Sequence, residues 1–243
     1  MYEREIGKIS VIQHLEELRR RIILSLIFFI AASSAAFVFA DKLVNLLKRP
    51  ASIYSNDFIF LSPTEGFVSY VRVALLFGFV ISIPFFLFQT GLFVRPAIPH
   101  AKAKTIFIWL SVSFIFALLG AAFSYFIAAP FALRFLLGFA LKAAKPMISI
   151  GKYLSFVGSF ILMGAAIFQI PILMGFLAQI NMLGSGFLAK RRKYAILTIF
   201  IVAAVITPTQ DVINMLIFAG PMWVLFEVGV LVTWFVENKK ERQ

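Results

Sequence analysis

Cysteine is absent from this chain of 243 residues. That excludes a disulfide framework, thiolate catalysis and any cysteine-based metal site. Histidine is nearly absent as well: His14 and His100 stand far apart and make a poor ligand pair, so no metal is expected. There is no GxxxxGKS/T loop to cradle phosphates, no HExxH and no GxSxG. Neither an enzyme nor a cofactor is expected. Charge is scarce too. Charged residues make up 14% of the chain, where a soluble domain carries about 25%. Acid is the scarcer sign, with 11 Asp and Glu against 23 Lys and Arg, a net charge of +12. Basic residues cluster between apolar runs and show no base-reading module, so they report membrane topology and not nucleic-acid binding.

What fills the space is apolar. Hydrophobic residues are 61% of the chain, with 30 phenylalanines and a mean hydropathy of +0.96. This composition predicts an all-α polytopic membrane protein, folded as a single membrane domain over 1–243. Six spans are expected, at about 22–40, 68–90, 105–129, 153–180, 194–206 and 212–236. The first run, Ile22–Ala40, exceeds the apolar core of a signal peptide, about 7–15 residues, and reads as a retained span although Val38-Phe39-Ala40 resembles a cleavage site. The fifth run is short for a hydrocarbon core of about 30 Å. Pro84, Pro171 and Pro221 fall inside the second, fourth and sixth spans and predict kinks there; Gly220 beside Pro221 suggests a break. The segment Phe131–Leu141 reads as a helix capping the bundle outside the membrane.

The basic residues set an orientation. Six spans put both termini on one side, and 15 of the Lys and Arg fall on that side against 7 on the other, with Arg72 inside the second span. Both termini are therefore expected in the cytoplasm.

A few polar groups stand out against this background. The segment His14-Leu15-Glu16-Glu17-Leu18-Arg19-Arg20-Arg21 is an amphipathic helix entering the first span, with Glu17 and Arg21 spaced to pair. Arginines there fix topology. A carboxylate beside anionic headgroups is unfavourable unless a cation meets it, and a visiting guanidinium suits Glu17. Phe93 reads as an interfacial anchor, followed by a stiff turn with Pro96 and Pro99. Within the spans lie Arg72, Gln89, Gln169 and Glu227. Arg72 is near a span end and can snorkel. Gln169 reads as helix–helix glue, and Glu227 as the strongest intramembrane carboxylate. Asp211 is placed to cap the sixth helix.

Taken in order, these stretches resemble the TatC family of the twin-arginine protein translocase. The resemblance is carried by HLEELRRR at 14–21, Pro50, Leu61-Ser62-Pro63-Thr64-Glu65, Pro84 with Gln89, and Phe93 with Pro96-Ala97-Ile98. It continues through Ala122–Phe126 with Pro130, Tyr153–Phe156, Phe168-Gln169-Ile170-Pro171, Arg192-Lys193-Tyr194, Thr207-Pro208 with Asp211, and Pro221 with Leu225-Phe226-Glu227. It implies a core receptor that binds twin-arginine signal peptides of folded cargo. It further implies assembly with single-span TatA and TatB subunits in an oligomeric complex, export driven by the proton-motive force, and residence in the cytoplasmic membrane of a prokaryote. The implied signal-peptide surface is Glu17, Leu18, Arg19, Phe93, Pro96 and Lys102. Lys102 stands where the family carries a second glutamate, and Gln169 replaces a fourth-span glutamate. The implied partner-binding or intramembrane polar positions are Gln169, Thr207, Asp211, Asn214, Met215 and Glu227. Pro50, Pro84, Pro171 and Pro221 are structural. Two other readings stay open: a membrane scaffold that no longer reads signal peptides, and a small-solute or ion transporter using Gln169 and Glu227 at the midplane.

Overall fold

The computed structural model describes residues 2–51, 58–94, 103–140, 147–179, 182–207 and 211–241. Helix α1 runs unbroken over Tyr2–Val38, and a short α2 follows at Ala40–Lys48. A single 3₁₀ turn at Arg49–Ala51 holds Pro50, whose fixed φ suits the bend. Helix α3 covers Glu65–Val94, and α4 covers Ala103–Phe123. A π-helical segment, Ser124–Ala128, joins α4 to α5 at Ala129–Ala140. Then come α6 at Ile150–Ile167, α7 at Ile170–Gln179, α8 at Ser185–Lys190, α9 at Arg192–Ile206 and α10 at Val212–Glu241.

Among the described residues, five helical stretches are long and apolar enough to cross a bilayer: Leu15–Val38, Glu65–Phe93, Phe107–Gly138, Ile150–Gln179 and Val212–Lys239. Helix α9 has 15 residues, a rise of roughly 22 Å, short of a full crossing as its sequence predicts. Large apolar side chains point outward along these helices, among them Leu26, Phe126 and Val205. In water such a surface would aggregate; against lipid it is the expected exterior.

Helices α1 and α3 pack along their length, and small residues set the approach. A Cβ on Gly78 would overlap Ser33, so only glycine lets the two backbones meet there. Helices α4 and α6 cross in the same way: a side chain on Gly164 would collide with Ser124 and the Gly120 carbonyl. The π segment falls at this crossing.

The prolines behave differently from one another. The fourth apolar run is two helices, because Pro171 cannot donate to the carbonyl of Ile167 and its ring crowds that carbonyl. The chain turns at Phe168–Gln169, and Pro171 opens the new helix instead of lying inside a long one. The expected break at Gly220-Pro221 does not occur: α10 continues through it, as α3 does through Pro84. The third run also continues past its expected end at 129: the π segment leads directly into Ala129–Ala140 with no break.

The end of the bundle near Glu65 is tied together across long sequence distances. Two-residue strands β1 (Phe58–Ile59) and β2 (Ile148–Ser149) pair in parallel, an element the all-α expectation lacked. Two tyrosine hydroxyls donate to the last carbonyls of α2: Tyr125 to Leu46 and Tyr153 to Leu47, both at 2.7 Å. The last carbonyls of a helix lack the usual four-residue partner; here the Arg49 N–H that caps α2 also donates to Leu46. Under these contacts Val44, Leu47, Val157 and Phe160 are almost wholly buried in the core.

Candidate functional site

At the opposite end, α1 carries its charged turn past the end of α3. Glu17 and Arg21 are one helical turn apart and form an ion pair, with Arg21 Nε donating to Glu17 Oε1 at 3.1 Å. Arg21 Nη1 also donates to Gln89 Oε1 on α3 at 3.2 Å. Gln89 is buried, whereas the Glu17 side chain keeps 36% of its surface exposed. The result is a carboxylate presented to solvent and braced from behind by a guanidinium that is anchored to a second helix. A basin of about 810 Å³ opens onto it, lined by Glu16, Glu17, Arg19, Arg20 and Gln89. Beside it a smaller apolar hollow of about 350 Å³ is lined by Leu18, Ile22, Phe86 and Phe93. An accessible carboxylate next to an apolar hollow can receive a cationic segment followed by apolar residues.

The structure therefore brings Glu17, Leu18, Arg19 and Phe93 to one place. Pro96 and Lys102 lie outside the described residues. Arg21 belongs to the cluster as its predicted pairing with Glu17 requires, and Gln89 joins it from α3. The signal was present for Arg21 in its four-residue spacing from Glu17; nothing in the sequence joins Gln89 to it.

The remaining polar positions are dispersed. Gln169 faces α4: it accepts from Ser113 Oγ, and its Nε2 donates to the Ser113 carbonyl at 3.0 Å. Both ends of its amide are used in holding two helices together. Glu227 pairs with Arg192 at 2.9 Å across α9 and α10. Gln169 and Glu227 thus bond to different neighbours. Asp211 caps α10, accepting from the Asn214 backbone N–H at 2.7 Å and from its side-chain amide at 2.8 Å. Asn214 is fully buried, Met215 packs against the core, and the buried Thr207 hydroxyl donates to the Ala203 carbonyl at 2.9 Å.

Residues 13–221 match the family model described as Sec-independent protein translocase protein (TatC). The chain belongs to the TatC family. It is 35% identical over 231 residues to the TatC of Carboxydothermus hydrogenoformans, covering 95% of each chain. It is also 35% identical to that of Aquifex aeolicus, covering 94% of this chain and 96% of the relative. A crystal structure titled as the twin-arginine translocase receptor TatC superposes with a TM-score of 0.81 at 34% identity, over 92% of this chain and 99% of the other. The protein is a subunit of the Sec-independent protein translocase, a multi-pass membrane transport protein.

Proposed function

We propose that this TatC protein is the receptor of its translocase and that Glu17 receives an arginine of a twin-arginine signal peptide. The carrying observation is the exposed carboxylate in an otherwise basic turn, braced by Arg21 and Gln89. An incoming guanidinium matches a carboxylate in a bidentate pair. It displaces Arg21 from Glu17, while Gln89 retains Arg21. The apolar hollow around Leu18 and Phe93 takes the residues that follow. In this reading both termini and the Glu17 end face the cytoplasm of a prokaryote, consistent with 15 of the basic residues on that side. Single-span partners of the TatA and TatB type dock on the lipid-facing helices, with Asp211 and Met215 at the far end of α9 and α10 and the buried Thr207 and Asn214 shaping that end from within. Cargo passes folded, and the proton-motive force drives it.

The test is crosslinking of a twin-arginine peptide to the protein in membranes. Glu17→Gln and Glu17→Ala are expected to lower capture by at least about tenfold, the loss of one charged hydrogen-bonded contact. Undiminished capture by both variants removes Glu17 from the receptor role.

A further inference from the structure

Between α1, α3 and α6 lies an apolar trough of about 710 Å³, open to the side, whose walls include Leu76, Phe79, Leu162 and Ala165. One cation enters it. Arg72 is exposed on α3, seven residues from Glu65 and so roughly 10 Å along the helix from that end. Its Nη1 donates to Ser155 Oγ at 2.7 Å, and that hydroxyl spends its own proton on the Gly151 carbonyl at 2.8 Å. Among the described residues no carboxylate lies within ion-pair distance of Arg72. Lys152, also exposed, precedes Ser155 by one helical turn on α6 and stands nearer the same end. Arg72, with Lys152 one turn nearer the end, thus heads an apolar trough with no carboxylate among the described residues to balance it.

We infer that this trough binds an anionic phospholipid of the leaflet at the Glu65 end, with its phosphate on Arg72 and one acyl chain along Leu76, Phe79 and Leu162. The charges choose this occupant. A phosphate offers the guanidinium paired oxygens at headgroup depth, and the attached chain matches the walls below. A second copy of this chain, with a net charge of +12, would bring like charge to the same place. Arg72 serves here as a headgroup anchor and takes no part in the Glu17 cluster at the other end.

Native mass spectrometry of the intact protein in mild detergent tests this, with phosphatidylglycerol and phosphatidylcholine of identical chains. Wild type is expected to retain phosphatidylglycerol about tenfold more strongly. Arg72→Gln is expected to abolish that preference, Arg72→Lys to keep part of it and Lys152→Gln to reduce it a few-fold. A Cβ on Gly158 meets only Leu76 Cδ2, at 3.5 Å, so Gly158→Leu has room to fill the trough; it should release both lipids with Arg72 intact. Three results overturn the proposal: an unchanged preference in Arg72→Gln or, should that variant not fold, in Gly158→Leu; equal displacement by soluble glycerol phosphate, which would make it a free-phosphate site; or a photoreactive residue at position 162 that labels a second copy and not lipid.

Discussion

Glu65 and Glu17 are carboxylates at opposite ends of one helical bundle, and they are spent in opposite ways. Glu65 accepts from the backbone N–H of Leu61, the backbone N–H of Gly151 at 2.8 Å and the Ser149 hydroxyl. It joins the segment before α3 to the start of α6, beside the β1–β2 pair and the tyrosines that close α2. Glu17 accepts from Arg21 on its own helix, and Arg21 is held in turn by Gln89 on α3. One end has its polar groups absorbed by backbone donors that cannot leave. The other has its polar group matched by a side chain that can be exchanged. Mutations at the Glu65 end should therefore act on folding, and mutations at the Glu17 end on binding.

The largest effect on folding is expected at Glu65→Ala, which strips three donors of their acceptor. Its thermal midpoint in detergent should fall further than that of any single substitution at the Glu17 end. Any peptide binding should persist in the fraction that folds. A normal midpoint combined with lost peptide capture would invert the contrast between the ends. Tyr153→Phe is the milder probe of the same region. The phenol is buried and its hydroxyl meets the Leu47 carbonyl; its loss should cost about 1–3 kcal/mol and leave peptide capture unchanged.

A matching experiment reverses a charge on the reading that the peptide's arginines are received by carboxylates. The resemblance to the TatC family sets Lys102, outside the described residues, where a glutamate is expected. Lys102→Glu should strengthen capture by a few-fold, more at low salt than at high, since exposed charges are screened within about 10 Å at 0.1 M. Capture that ignores both the substitution and the salt would remove that loop from the recognition surface.

Much of this contrast was written in the chain, and some was not. The spans are legible because apolar runs near 20 residues have few alternatives in lipid. The Glu17–Arg21 pair is legible because four residues is one helical turn. Proline shows the limit of such reading. Pro171 and Pro221 occupy similar apolar settings, yet the chain breaks before one and runs through the other. Beside Pro171, Gly164 crosses α4 closely and Gln169 is bonded to Ser113, so the turn is held from outside its own helix. Gly220 beside Pro221 has no packed neighbour at its Cβ position. Those partners are 40 or more residues away in the chain, as are the partners of Tyr125, Tyr153 and Gln89. Local pattern does not carry that information.

The smallest expected effect belongs to the carboxylate that stands out most among the polar groups within the spans. Glu227 is a carboxylate within an apolar run, and such groups are costly when alone. It is not alone: Arg192 meets it at 2.9 Å, with 53% of the Arg192 side chain and 31% of the Glu227 side chain exposed. An ion pair at that exposure is worth about 0–1 kcal/mol. Glu227→Gln keeps the shape and a hydrogen-bonding oxygen, so its thermal midpoint should stay close to wild type and move less than that of Tyr153→Phe. Arg192→Gln should behave alike, and the double variant should show little coupling between the two. A fall as large as that of Tyr153→Phe would mean that lipid or a partner helix covers the pair and removes it from water. The Glu17 end would then hold a buried polar contact of its own, and the division between an absorbed end and an exchangeable one would have to be redrawn around α9 and α10.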